Sequence, residues 1–314
     1  MAHDFPFFLL GHDRSGTTML RLILDRGDVA IPPESMFLLD VQPGQPADDV
    51  LREAWSHPRV GLWGLEGEPP KLPDGLNAVD AFRFAVSAPF VAYAAAEGKM
   101  RWGDKTPAYI GHVDRLAAIW PEARFVVLVR DGRDVALSVM GVPFGPNNAW
   151  AAARSWATAV RQGRDAARRY PGRVLEVRYE DLVASPEAEV QAICAFLALD
   201  YFPEMLAIEQ TDRSKVVEDQ AGWFTNVWSG ITTAAVGKWR TDLTPRQVEM
   251  FESVAGDELR ALGYATNGVT TSPALVPAYA VHDAAMRGVN FFRLRLVQER
   301  GREVRHVVKR KLSR

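Results

Sequence analysis

Cysteine occurs once in this chain, at Cys194, so no intramolecular disulfide can form and a reducing compartment is expected. Long apolar runs are scarce too. No stretch reaches the roughly eighteen apolar residues expected of a membrane span, and the N-terminus lacks a basic segment followed by a long apolar one. A soluble, cytoplasmic protein is the expectation. Charge of one sign does not dominate: 37 Lys and Arg stand against 39 Asp and Glu, which argues against general nucleic-acid binding and makes individual arginines candidate anion ligands. The six histidines are scattered, without HExxH or a Cys-His cluster, so no metal is expected. No Gly/Ser linker or internal repeat divides the 314 residues, and 47% apolar content can fill one large core.

Two segments carry the chemistry. The first, FPFFLLGHDRSGTTMLRLIL from Phe5 to Leu24, reads as a short apolar strand, a turn rich in Gly and hydroxyl residues, and a helix with Met19, Leu20, Ile23 and Leu24 at helical spacing. Ser15, Gly16, Thr17 and Thr18 therefore fall at a helix N-terminus, where unpaired N–H groups and the positive end of the helix dipole favour an anion. The spacing is that of a phosphate-binding loop, G-x-x-x-x-G-K-[ST], through Gly11, Gly16 and Thr18, but Thr17 stands where the lysine should be. Arg14, inside the turn, is the nearest cation, and its planar fork suits a phosphate.

The second segment is RFVVLVRDGRDVALSVM, Arg124 to Met140. Val126 to Val129 form a continuous apolar run, typical of a strand buried on both faces, and Arg130 follows at its C-terminal end, where open parallel sheets bind ligands. Ser138 lies about two helical turns further on. For Arg130 the alternative is a surface salt bridge. The fold expected is α/β, a P-loop-type parallel sheet flanked by helices, as a single domain over residues 1–270 with helical insertions, followed by a basic C-terminal helical extension over 271–314.

RSGTT after the first strand, GDKTP at Gly103 to Pro107, VRDGRDVALS, VRYEDL at Val177 to Leu182 and VGKWR at Val236 to Arg240 come in that order. The series resembles the sulfotransferases that use 3′-phosphoadenosine 5′-phosphosulfate (PAPS), with most similarity to the tyrosylprotein sulfotransferases and their bacterial relatives. That resemblance implies in-line transfer of a sulfonyl group from PAPS to an acceptor hydroxyl, leaving adenosine 3′,5′-bisphosphate. It implies that Arg14 to Thr18 wrap the 5′-phosphosulfate, that Arg130 and Ser138 grip the 3′-phosphate, and that Tyr179 lies near the adenine. A buried core tyrosine is the alternative for Tyr179. Lys105 matches the family lysine beside the bridging oxygen, with Asp104 placed to orient it or, alternatively, to form an ordinary loop ion pair. Lys238 and Trp239 match a segment that closes over the nucleotide.

Glu34 aligns, with one residue deleted, to the catalytic glutamate of the tyrosylprotein enzymes. Its place between Pro33 and the apolar Met36 to Leu39 suggests desolvation and a raised pKa, suited to a base near neutrality; a helix-start residue is the alternative. His12 competes for that role, with a structural or phosphate-side role, given its position before Arg14, as the favoured alternative. The chain departs from the family at Gly237, where the tyrosylprotein enzymes carry a serine, so a backbone N–H or another residue would have to substitute.

Acceptor choice is expected from Pro43 to Leu76, punctuated by Trp55 and Trp63, and from Gln220 to Thr233, with Trp223, Phe224 and Trp228, unless both are surface loops pinned by their aromatics. A hydroxyl-bearing small molecule, glycan or lipid is the expected partner. The basic, amphipathic stretch from Met286 onward is expected to pack on its own domain or to touch an anionic membrane. A P-loop kinase or hydrolase and a noncatalytic nucleotide-binding module remain the competing classes.

Overall fold

A computed structural model describes residues 5–142, 145–212, 215, 228–268 and 276–286. The chain divides into two compact units, Met1–Arg130 with Ala159–Val236, and Asp131–Thr158 with Gly237–Arg314.

The first unit is built on a five-stranded parallel sheet, β1 (Phe7–Gly11), β2 (Val29–Ala30), β3 (Arg101–Lys105), β4 (Arg124–Val129) and β5 (Val174–Arg178), in the order β2-β3-β1-β4-β5. β1 is central and fully buried, as an unbroken FFLL run requires. Its neighbours β3 and β4 come later in sequence on opposite sides, so strand order reverses at the C-terminal end of β1, the place where open α/β sheets bind ligands.

The two faces of the sheet are chemically distinct. Alternation sends Phe7, Leu9, Val126 and Leu128 to one face, where they form a core with Leu20, Ile23 and Leu24 of α1 (Thr17–Asp25) and with Val190, Ile193 and Leu197 from Pro186–Leu197. On the other face Phe8 packs on Phe125 and Trp120, and Trp102 stacks on Phe90 at 4.4 Å.

Phe90 belongs to the helix Ala78–Ala96, which is long and apolar enough by composition to cross a membrane, although Asp80, Arg83 and Ser87 interrupt its apolar run. Its buried Phe82, Val86, Phe90 and Tyr93 give it the pattern of a core helix. Trp63 packs tilted against Phe90 and edge-on to Tyr93, with ring centroids 5.2 and 5.8 Å apart, and is buried. It is a core residue, and the Pro-rich segment around it contains a regular helix, Ala47–Ser56.

The second unit centres on a buried charge network on the helix Gly132–Met140, whose Asp131 cap accepts from the Arg133 backbone N–H. Arg133 is 2% exposed and bridges Asp131 at 2.8 Å and Glu252 at 2.6 Å. Its guanidinium lies 3.8 Å from the Trp239 ring centroid, and the Trp239 indole N–H donates to Asp131. Asn147 and Asn148 bond Asp283 and the Tyr279 carbonyl, which ties the helical residues 276–286 into this unit. The basic stretch after Met286 and residues 220–227, including Trp223 and Phe224, lie outside the described residues.

Candidate functional site

The turn between β1 and α1 is shaped by glycines that no other residue can replace without strain. Gly11 has φ 148°, and a Cβ there would stand 2.5 Å from the Leu128 carbonyl oxygen of β4. Gly16 caps α1 with φ 97°, and a Cβ would stand 2.5 Å from Cδ2 of Tyr179. Arg14, between them, also holds a left-handed backbone, φ 69°. Strain of this kind collects at ligand-binding turns. Ser15 is 1% exposed, and its hydroxyl has no hydrogen-bond partner among the described residues. A buried hydroxyl at the start of a nine-residue helix, next to backbone N–H groups, fits the phosphate cradle expected from the sequence.

Arg130 leaves the end of β4, and Gly11 pairs with Leu128 across the β1–β4 ladder, so the register carries Arg130 beside the turn. Its guanidinium donates to the Arg14 carbonyl at 3.1 Å and the Ala235 carbonyl at 2.6 Å and lies 4.6 Å from the Tyr179 ring centroid. Burial, and then the charge of Arg130, disfavour the charged form of Arg14. Two arginines set against one another beneath a turn rich in N–H groups form a strongly anion-seeking arrangement. Tyr179 is 7% exposed, with its ring between Gly16 and Arg130. It supports the turn and the arginine.

On the other side of β1, Leu9 pairs with Lys105. Lys105 Nζ reaches Glu34 Oε1 at 2.6 Å, with the lysine side chain 4% exposed and the glutamate 21%. Both also interact electrostatically with Asp13 of the turn. Burial by itself raises the Glu34 carboxyl, but the charge and hydrogen bond of Lys105, with Arg59 and Arg21 adding to them, hold it below the ordinary glutamate range. The raised value expected from the apolar flanks is therefore reversed, because the ion pair outweighs desolvation.

Asp104 does not orient Lys105. Strand alternation sends the two side chains to opposite faces, and Asp104 Oδ1 accepts from the Thr106 hydroxyl at 3.2 Å instead. Asp104 is fully buried, which pushes its pKa up to about 7. His12, the competing base, bonds the Asp13 carbonyl through Nδ1, and burial lowers its pKa.

The profile of the sulfotransferase family matches residues 6–204. This chain belongs to the sulfotransferase family. The family's enzymes include relatives named as protein-tyrosine sulfotransferases: one from Caenorhabditis briggsae is 28% identical over 83% of this chain and 89% of its own length. The nodulation protein NoeE of Sinorhizobium fredii is 27% identical over 82% of this chain, which spans only 65% of NoeE. Among solved structures, the sulfotransferase domain of the Synechococcus PCC 7002 olefin synthase matches with TM-score 0.56 and 26% identity, over 80% of this chain and 94% of that one. The sulfotransferase domain from the curacin biosynthetic pathway matches in fold, with TM-score 0.59 at 19% identity, over 83% of this chain and 98% of that one.

The remaining expected residues of this sulfotransferase lie in the second unit. Ser138 stands on Gly132–Met140, Lys238 is the N-cap of Trp239–Asp242, and Trp239 is 8% exposed with its indole N–H on Asp131. The Gly237 N–H, a candidate substitute for the missing serine, donates to Asp134 at 2.7 Å, and the Trp239 N–H joins it on the same carboxylate. Sequence alone missed Ser35 and Tyr109, whose hydroxyls meet at 2.8 Å directly behind Glu34, and the cations Arg21 and Arg59 that act on Glu34. The signal for Tyr109 was its place just after GDKTP, where a buried hydroxyl in an otherwise apolar stretch needs a partner.

Proposed function

We propose that this protein transfers a sulfonyl group from PAPS to a hydroxyl of an acceptor. The observation that carries this reading is the Lys105–Glu34 pair at 2.6 Å, a cation and a carboxylate side by side at the end of β3, next to the strand that leads into the phosphate turn. Glu34 would accept the proton of the acceptor hydroxyl as its oxygen bonds to sulfur. The bond from sulfur to the bridging oxygen breaks, and the electron pair stays on the phosphate of adenosine 3′,5′-bisphosphate. Lys105 supplies positive charge where that negative charge develops.

Arg14, Ser15, Gly16, Thr17 and Thr18 would hold the phosphosulfate through backbone N–H groups and the buried Ser15 hydroxyl. Arg130 would take the 3′-phosphate, a group that ATP lacks. A transferring sulfonyl carries less negative charge than a phosphoryl, so positioning and these cations would suffice without a metal. Thr17 in place of the phosphate-loop lysine weighs against the ATP-dependent alternative.

The acceptor proposed is a small molecule, glycan or lipid rather than a protein, with a single hydroxyl delivered to Glu34. The test is incubation with PAPS and a panel of phenols, glycans, hydroxyacyl chains and tyrosine peptides, with products read by mass spectrometry. Sulfated product and adenosine 3′,5′-bisphosphate, formed together and lost in Glu34→Gln, are expected. Turnover of ATP and none of PAPS would overturn the reading.

A further inference from the structure

Behind the Lys105–Glu34 pair lies a buried chain of hydroxyls that the transfer chemistry itself does not use. The Ser35 backbone N–H donates to Thr106 Oγ1 at 3.2 Å, and the Thr106 hydroxyl donates onward to Asp104 Oδ1 at 3.2 Å. The Leu38 N–H donates to the Tyr109 hydroxyl at 3.2 Å, and that hydroxyl meets Ser35 Oγ at 2.8 Å, which in turn lies 3.4 Å from Thr106 Oγ1.

Above about pH 7, where Asp104 is ionised, the directions in this chain are fixed by chemistry. A backbone N–H can only donate, and an ionised carboxylate can only accept, so both strings of bonds start on the backbone just after Glu34 and run toward Asp104. Asp104, Thr106 and Ser35 are each 0% exposed, and Asp104 Oδ2 has no hydrogen-bond partner among the described residues. Between the two anchored N–H groups, Met36 sits at φ 56°, a left-handed conformation that a side chain of its size adopts only when its surroundings enforce it.

We propose that Thr106 and Asp104 are positioning residues for Glu34: the Thr106 hydroxyl, aligned by the Asp104 carboxylate, clamps the Ser35 peptide and so fixes the direction in which the Glu34 carboxylate meets Lys105 and the acceptor. The clamp is built from the strand end and the turn of 3₁₀ helix that follows it, Pro107–His112, so it ties the base to the central sheet. A carboxylate on a bend stabilised by nothing else would swing through positions too far from the acceptor proton. This inference rests on the sulfotransferase reading.

The experiment compares Thr106→Val, which keeps the shape and removes the hydroxyl, with Thr106→Ser, which restores it. Each variant is assayed at pH 8 with PAPS and the best acceptor from the panel, beside calorimetric binding of adenosine 3′,5′-bisphosphate to count competent sites. The expected result is a kcat lowered by between about tenfold and a hundredfold in Thr106→Val, with bisphosphate affinity and stoichiometry unchanged and most of kcat recovered in Thr106→Ser. A purely structural role would instead lower the count of competent sites. Full kcat per site in Thr106→Val, or the same loss in Thr106→Ser, overturns the proposal. Should Thr106→Val fail to fold, Tyr109→Phe carries the same expectation for kcat, and an unchanged value there overturns it equally. Absence of transfer by the wild-type protein would be a failure of the activity reading, seen before any variant is compared, and removes the positioning role with it.

Discussion

Gly16 and Tyr179 interlock: the tyrosine ring occupies the space that any β-carbon on residue 16 would need, 2.5 Å from Cδ2. Gly16→Ala must therefore relieve both a clash and a backbone at φ 97°. Loss of at least tenfold in bisphosphate affinity is expected, with a drop of roughly 1–3 kcal/mol in unfolding free energy. Titration calorimetry and urea unfolding measure the two effects. Wild-type affinity in this variant would show that the turn does not hold the phosphate.

Lys105 holds the Glu34 carboxyl low, so removing its charge should let burial dominate and move the Glu34 pKa upward. With Glu34 as base, activity requires the carboxylate, and the acidic limb of the kcat/KM profile follows its pKa. In Lys105→Met that limb should shift to higher pH, on top of a large loss of kcat from the missing cation. A limb that stays in place would remove Glu34 from the role of base.

The buried Asp104 carboxyl gives a stability signature of the opposite sign. Its folded-state pKa of about 7 lies above the ordinary value of 3.8, so the folded protein holds that proton more tightly than the unfolded chain. The contribution is fully present below the unfolded value and is lost as pH rises through about 7. Relative to Asp104→Asn, wild-type stability should fall between about pH 4 and pH 7 by an amount on the order of a few kcal/mol. Urea melts of both proteins at a series of pH values read this directly, and parallel curves would contradict it.

In the second unit, Arg133 is held by Asp131 and Glu252 with both ends of the Glu252 pair 2% exposed. Glu252→Ala leaves a buried guanidinium short of a partner and is expected to destabilise by about 3–5 kcal/mol. A change under about 1 kcal/mol would mean the pair is screened in the way of a surface salt bridge.

The strand, turn and helix from Phe7 to Asp25 were legible because an apolar run, a glycine-bearing turn and a helical stripe each have a local signature. The same holds for Arg124 to Val129 and the helix that follows. What sequence did not disclose depends on contacts between distant residues. The Glu34 pKa was misjudged because its flanks are apolar while its partner, Lys105, lies on another strand. Trp63 reads as a candidate binding aromatic, but Phe90 and Tyr93 pack against it. Asp104 reads as a partner for its neighbour Lys105, but strand alternation separates the two side chains. The hydroxyl chain from Ser35 to Tyr109 has no periodic pattern at all, since it is assembled from a bend and a strand end.

The central claim is a donor site specific for a nucleotide with a 3′-phosphate, and calorimetric titration with adenosine 3′,5′-bisphosphate, run beside ATP with magnesium, tests it most directly. Arg130→Lys, which keeps the charge but not the planar fork, is titrated alongside. Clear preference for the bisphosphate, weakened by tenfold or more in Arg130→Lys, is the expected result. Binding of ATP with magnesium and none of the bisphosphate would contradict the account and leave the fold without its chemistry.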